Sequence, residues 1–233
     1  MLDFETIKSN FSEIKSNITE LTERDVKIMA VTKNQPVEAI NFAINELGIS
    51  YIGENRVQEL VDKYDKIDFP ADRKVEIHLI GTLQTNKVKY IVDKVDMIQS
   101  LDSLKLAAEI DKRCKAINKI MDVLVEVNIG REPQKGGIMP EDISSFLDKL
   151  SSFDNIKVRG LMTVAPKTDD FDKKIEYFSE TYQYFIDNSR KKIHNICMDT
   201  ISMGMSDSYR EAITAGSNLI RVGTLLFGAR NYK

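Results

Sequence analysis

The stretch Val26–Pro36, "VKIMAVTKNQP", decides how the rest of the chain is read. Its first six residues are apolar or β-branched with one lysine, as in a buried strand, and a turn carrying Lys33 follows before Pro36 opens a helix. A doubly wound dinucleotide-binding sheet needs a Gly-rich G-x-G-x-x-G turn at this place. "VTKNQP" stands there instead, so the open sheet is the weaker alternative.

Seven further runs of the same kind follow: "SYIG" (50–53), "EIHLIG" (76–81), "VDMIQSL" (95–101), "VLVEVN" (123–128), "VRGLMTV" (158–164), "ICMDTIS" (196–202) and "LIRVGT" (219–224). Helical patterns lie between them. Val37, Ile40, Ile44 and Leu47 share one face, with Gly48 as the stop; Val57, Leu60, Val61 and Tyr64 form the next stripe. Ile143, Phe146, Leu147 and Leu150 make a later one, and Phe171, Ile175, Phe178, Tyr182 and Phe185 repeat the spacing, which reads as core packing. Ser208 with Glu211 offers a capping box for a short helix that Gly216 ends.

Eight strands, each followed by helix-compatible sequence, fill the length of a single (β/α)8 barrel of the α/β class. The expectation is one domain over residues 1–233. Residues 1–25 add an amphipathic helix with Leu2, Ile7, Phe11, Ile14, Ile18 and Leu21 on its packing face. Acidic residues throughout that segment argue against a signal or transit peptide, and no apolar run approaches membrane-spanning length.

Composition narrows the function classes. Thirty-three Lys and Arg against 36 Asp and Glu give a net charge of −3, so no global positive field draws nucleic acid or anionic lipid. Cys114 and Cys197 lack C-x-x-C spacing, which fits unpaired thiols in a reducing cytoplasm. No His, Cys and carboxylate spacing suggests a metal site. His194, beside Lys191 and Lys192, reads as a solvated helix end.

In a barrel the reactive face lies at the C-terminal ends of the strands. Lys33 is there, and a lone lysine closing a strand is by itself only a solvated charge. A second feature changes its weight. "SMGMSDS" after the seventh strand and "RVGT" at the eighth combine glycines, hydroxyls and helix starts, which suits backbone N–H groups cradling a phosphate. Singly, Ser206, Asp207 and Ser208 are helix caps and Gly223 is a packing glycine; together, at that place in a barrel, they read as a phosphate cradle. An amine across the barrel mouth from a phosphate suits a ligand bearing both an aldehyde and a phosphate. Pyridoxal phosphate and a phosphorylated sugar in an aldolase both qualify, and spacing does not separate them.

Taken in order, "MAVTKNQP", "YIGENRVQEL", "IHLIGTLQTNK", "VEVNIGREPQKGG", "VRGLMTVAP", "ISMGMSDSYREAI" and "IRVGTLLFGAR" resemble the pyridoxal-phosphate homeostasis proteins, the YggS/PROSC family, over nearly the whole chain. The resemblance implies a barrel like the N-terminal domain of alanine racemase, with pyridoxal 5'-phosphate held as a Schiff base on Lys33. It implies that Ser202 and Ser206 with Gly223 and Thr224 hold the phosphate and that Arg221 faces the pyridine nitrogen. Asn55, His78 and Met203 are then placed near the ring or its loops. Thr32 where a serine is usual, and "NQP" in the following turn, are departures that touch the first loop only.

The implied role is a carrier or buffer of the cofactor, without established catalysis. Transient contact with apo-enzymes, amino acids as small-molecule partners and a monomeric state go with it; contact with nucleic acid or membrane does not. The alternative is a low-activity amino-acid racemase. A charged guanidinium at the pyridine nitrogen weakens the ring as an electron sink, which favours the carrier. The racemase also takes an opposing tyrosine from a second, β-rich domain of a partner subunit. This sequence ends at "NYK" soon after its eighth strand, so the expectation is poor racemisation, with Tyr232 a tail residue.

Overall fold

The computed structural model describes residues 3–228. Eight strands close into a parallel barrel in sequence order. They are β1 Lys27–Val31, β2 Tyr51–Glu54, β3 Glu76–Leu79, β4 Met97–Leu101, β5 Met121–Val127, β6 Ile156–Thr163, β7 Ile196–Ser202 and β8 Leu219–Val222. Closure is made by β8 against β1, with Met29 opposite Arg221 and Ala30 opposite Val222. Every run expected to be a strand is one, with no end shifted by more than two residues.

Helices α1 Phe4–Leu21, α2 Val37–Asn45, α3 Val57–Tyr64, α4 Leu104–Ala116, α5 Ile143–Leu150, α6 Phe171–Ser189, α7 Tyr209–Thr214 and α8 Thr224–Phe227 accompany the strands. Their apolar stripes and the outward faces of the strands form the large core, where Ile40, Ile44, Leu60, Leu147 and Phe178 are buried. The β3–β4 connection differs from the regular plan: a 3-10 turn over Thr85–Tyr90 carries the packing residue Val88. The expected capping box also takes another form. Ser208 is the N-cap of α7, yet its hydroxyl turns back to accept from Met205 N–H at 3.2 Å, and Glu211 pairs with Lys174 at 3.2 Å.

Helix α1 is capped by the Asp3 carboxylate, which accepts from Thr6 N–H at 3.1 Å. Ile7, Ile14 and Ile18 are buried, Leu21 is exposed, and Leu2 lies outside the described residues, as does Tyr232. The helix lies against the last turn of the barrel: the Asn10 amide donates to Leu226 O at 3.1 Å and the Asn17 amide to the Tyr209 hydroxyl at 2.8 Å.

Inside the barrel, Met97, Leu124 and Met162 make a small apolar cluster separate from the large core. Met97 also lines a cavity at the N-terminal ends of the strands, and Val164, packed on the cluster, lines another at the C-terminal ends. The apolar layer therefore divides two polar ends. Among the described residues no helix is long and apolar enough to cross a membrane. Cys114 is buried, which pushes its thiol up to about 11, while Cys197 is exposed; the two are unpaired.

Candidate cofactor site

A cavity of about 360 Å³ opens at the C-terminal ends of the strands, lined by Lys33, Asn55, Ser206, Asp207, Arg221, Gly223 and Thr224 with apolar walls from Val31, Ile80, Val164 and Met205. Lys33 is aimed there by the turn after β1. Thr32 N–H continues the ladder to Gly53 O at 2.9 Å, and Gln35 N–H closes the turn on Thr32 O at 2.9 Å. Between them Asn34 takes φ 58°, a region that asparagine tolerates better than most residues.

A buried ionic cluster holds the back of that turn. The Thr32 hydroxyl donates to the Glu54 carboxylate at 3.0 Å, and Lys63 Nζ reaches Thr32 O at 2.9 Å and Glu54 at 3.4 Å. Lys63 also pairs with Glu59, which in turn accepts from Asn34 N–H. Burial pushes the Glu54 carboxyl up, and Lys63 pulls it back. The consequence for Lys33 is electrostatic: the nearby carboxylates are taken by Lys63, and no ion pair or hydrogen bond within the described residues occupies the Lys33 amine.

Asn55, just past β2, donates its backbone N–H to Glu54 at 2.7 Å. Its side-chain Oδ1 is buried with no partner among the described residues. Such an atom costs roughly 1–3 kcal/mol unless something donates to it. Gly81 permits the close approach here, since a Cβ at that position would stand 2.3 Å from Asn55 O.

The cradle expected across the barrel mouth from Lys33 instead stands beside it, since β8 closes on β1 and Gly223 packs against Val31; there the loop after β7 folds onto the start of α8. Ser206 Oγ accepts from Gly223 N–H and Leu225 N–H, each at 3.2 Å, so two backbone donors converge on one point of the cavity wall. Gly204, at φ 91°, makes the approach possible, because a Cβ there would lie 2.5 Å from Ala212 Cβ. Beneath the loop, Arg221 is 4% exposed. Its Nη1 donates to Ser202 Oγ at 2.6 Å and its Nη2 to Thr163 O at 2.8 Å. Burial lowers the guanidinium to about 10, with the Glu126 carboxyl opposing the shift, so Arg221 is a cation at neutral pH. Glu126 is itself pushed up to about 7, first by burial and then by Asp102.

Six of the nine residues expected at a cofactor site thus share one cavity: Lys33, Asn55, Ser206, Arg221, Gly223 and Thr224. Ser202, expected at the phosphate, is fully buried beneath it and committed to Arg221 and Gln99. Met203 is fully buried in the core, and Met205 lines the cavity in its place. His78, expected near the ring, is at the other end of the barrel, where it lines the N-terminal cavity and bonds to Glu76 and Gln99. On β3 it is in register with Met97 of the apolar layer, and both line the N-terminal cavity. His194 is exposed, as a solvated helix end would be. Among the described residues no group of three or more His, Cys, Asp or Glu side chains is arranged to hold a metal.

Sequence reading passed over Gln99 and the pairing of Lys63 with Glu54 and Glu59. Gln99 carried one signal, a polar side chain in the middle of an apolar strand, and all of β4 is buried. The donor set fits a ligand with an aldehyde and a phosphate: a free amine, an orphaned acceptor, converging N–H and hydroxyl groups and a buried cation.

The model of the alanine racemase N-terminal domain family matches residues 2–231. A pyridoxal phosphate homeostasis protein of Aquifex aeolicus is 40% identical over 210 residues, 90% of each chain. The structure of PipY from Synechococcus elongatus with pyridoxal phosphate bound superposes with a TM-score of 0.81 at 30% identity, covering 94% of this chain and all of that one. An alanine racemase of Clostridium difficile is similar in fold, with a TM-score of 0.70 at 18% identity, and this chain spans 58% of it.

Proposed function

Because the chain belongs to the alanine racemase N-terminal domain family, we propose that its C-terminal cavity binds pyridoxal 5'-phosphate on Lys33 and that the protein serves cofactor homeostasis. The observation that carries this reading is the amine of Lys33, without an ion pair or hydrogen bond among the described residues, in a cavity it shares with Ser206, Gly223 and Thr224 from the neighbouring end of β8. The cofactor supplies an electrophilic aldehyde and a dianionic phosphate. Lys33 takes the aldehyde, the loop of Ser206 with the N–H groups of Gly223 and Leu225 takes the phosphate, and Asn55 Oδ1 accepts a donor. Arg221 faces the pyridine nitrogen, positioned from below by Ser202.

These residues hold the cofactor better than they exploit it. A guanidinium that is charged at neutral pH keeps the pyridine nitrogen unprotonated, so carbanion chemistry is poorly supported. Racemisation needs acid/base groups on both faces of the substrate carbon. Among the described lining residues no tyrosine or histidine stands across from Lys33. The protein therefore acts as a cytoplasmic, monomeric carrier that hands the cofactor to apo-enzymes by transient contact, as one domain over the whole chain. An adjoining cavity of about 210 Å³ shares Arg221 and is lined by Lys167 and Asp207, with Lys135 and Lys174 paired to Glu132 and Glu211; an amino-acid carboxylate would meet Lys167 there.

The test is the absorption spectrum of purified protein beside Lys33→Ala, followed by borohydride reduction and peptide mapping. A visible band in wild type, lost in the variant, with a phosphopyridoxyl label on Lys33, is expected. No band and no label after adding pyridoxal phosphate would overturn the reading, and a sugar phosphate trapped on Lys33 would point to an aldolase. A racemisation assay on the loaded protein separates carrier from weak enzyme.

A further inference from the structure

A single chain of side-chain hydrogen bonds crosses the barrel from the proposed cofactor site to the N-terminal cavity. Arg221 Nη1 bonds to Ser202 Oγ at 2.6 Å, Ser202 to Gln99 Oε1 at 2.7 Å, Gln99 Nε2 to His78 Nδ1 at 2.8 Å, and His78 Nε2 to Glu76 Oε2 at 3.2 Å. Arg221, Ser202, Gln99 and His78 are each at most 4% exposed. Arg221 borders the C-terminal cavity and His78 the N-terminal one; between them Ser202 and Gln99 are fully buried.

The direction of every bond follows from one end. A guanidinium only donates, so Ser202 accepts from Arg221 and its own proton goes to Gln99 Oε1. The Gln99 amide nitrogen then faces His78, whose Nδ1 must accept, which leaves the His78 Nε2 proton for the Glu76 carboxylate. The second Gln99 N–H rests 3.8 Å from Met29 Sδ. Flipping the Gln99 amide would set its NH2 against Ser202, whose hydroxyl would face two donors with its proton unplaced. The chain therefore runs one way, from a buried cation to a carboxylate, with both ends charge-assisted.

We propose that Gln99 is a positioning residue for the cofactor: by accepting the Ser202 proton it turns a Ser202 lone pair to Arg221 and so fixes the guanidinium beneath the ring. This rests on the cofactor reading above. Without Gln99, the Ser202 hydroxyl would be free to rotate, and Thr163 O at 2.8 Å would be the one partner left that holds Arg221 in a fixed direction. Gln99 touches neither cavity wall nor ligand, and it acts through Ser202 and Arg221 alone.

The test compares Gln99→Met and Gln99→Glu with wild type. Three readouts are taken: the visible absorption maximum of the lysine-bound cofactor, the Kd for added pyridoxal phosphate, and the melting temperature of cofactor-free protein. Methionine fills the volume but cannot accept from Ser202; it is expected to displace the absorption maximum and weaken binding about tenfold. Glutamate keeps the acceptor, so its maximum is expected to lie nearer wild type, with a smaller loss of affinity. Wild-type maxima and affinities in both variants, with only the melting temperature lowered, would make Gln99 an ordinary core residue and overturn the proposal. Should Gln99→Met fail to fold, Ser202→Ala decides, because it removes the acceptor through which Gln99 acts on Arg221; an unmoved maximum there overturns the proposal. A wild type with no visible band overturns the cofactor reading, and this inference with it.

Discussion

The two ends of the barrel carry much the same residue types and use them in opposite ways. At the N-terminal end a cavity of about 320 Å³ is lined by four cations and three carboxylates, among them Lys74, Glu76, Asp96, Asp122 and Arg159. Nearly all of these charges have a partner: Lys74 pairs with Asp96 at 2.9 Å, Arg159 with Asp122 and Asp199 at 2.6 Å each, and Lys119 donates to two backbone carbonyls. At the C-terminal end, Lys33 and Asn55 Oδ1 are without partners in the wall of a cavity. A buried polar group left unpaired costs free energy that some other interaction has to offset. Charge therefore marks neither end as the site, whereas the C-terminal cavity is the one with an orphaned buried acceptor, Asn55 Oδ1, in its wall among the described residues; Asn195 Oδ1, the other orphaned amide oxygen, lines neither cavity.

The largest expected effect that tests this contrast concerns the two carboxyl groups on either side of the apolar layer. Glu76 at the paired end is held below its usual range, first by the hydrogen bond from His78. Glu126 at the other end is raised from 4.5 to about 7, chiefly by burial. A carboxyl whose folded value is raised favours the folded state while both states are protonated. That contribution declines as pH rises from the unfolded value of 4.5 toward about 7, because the unfolded chain ionises first. Denaturant unfolding between pH 5 and 8 is expected to show wild type losing about 1 to 3 kcal/mol relative to Glu126→Gln across that window. Equal pH dependence in the two proteins would mean that Glu126 is solvated as well as Glu76, and the contrast would fail on the acidic side.

How much of this was legible in the sequence follows from which interactions are local. Parallel strands buried on both faces read as continuous apolar runs, so all eight appear in the sequence from "VKIMAV" to "LIRVGT". The β3–β4 connection was harder, because Thr85–Tyr90 has one buried anchor, Val88, and no stripe. Lys33, Asn55, Ser206, Gly223 and Thr224 follow strand ends, which is why their convergence could be anticipated. His78 could not be placed in the same way. Its height depends on strand tilt and stagger, which local sequence does not display. Gln99 and Ser202 meet across 103 residues, so neither carries a local sign of the other.

A middle-sized effect probes the paired end directly. Arg159→Leu leaves Asp122 and Asp199 without their shared cation, and it is expected to cost about 1 to 2 kcal/mol in denaturant unfolding with cofactor affinity unchanged. Loss of affinity in this variant would show that the N-terminal pairs also shape the C-terminal cavity, so that the apolar layer of Met97, Leu124 and Met162 does not insulate one end from the other.

The smallest expected effect sharpens the contrast at the phosphate wall. Ser206 Oγ satisfies the N–H groups of Gly223 and Leu225 in the cofactor-free protein, so Ser206→Ala is expected to cost about 1 kcal/mol in the absence of anions. An anion in the cradle can accept from the same two donors. Inorganic phosphate should therefore raise the melting temperature of Ser206→Ala more than that of wild type, narrowing the gap between them as its concentration rises. A gap that stays constant would mean the two N–H groups are not directed at the anion, and the hydroxyl would then be a local fastener of the α8 turn with the phosphate held elsewhere along the wall.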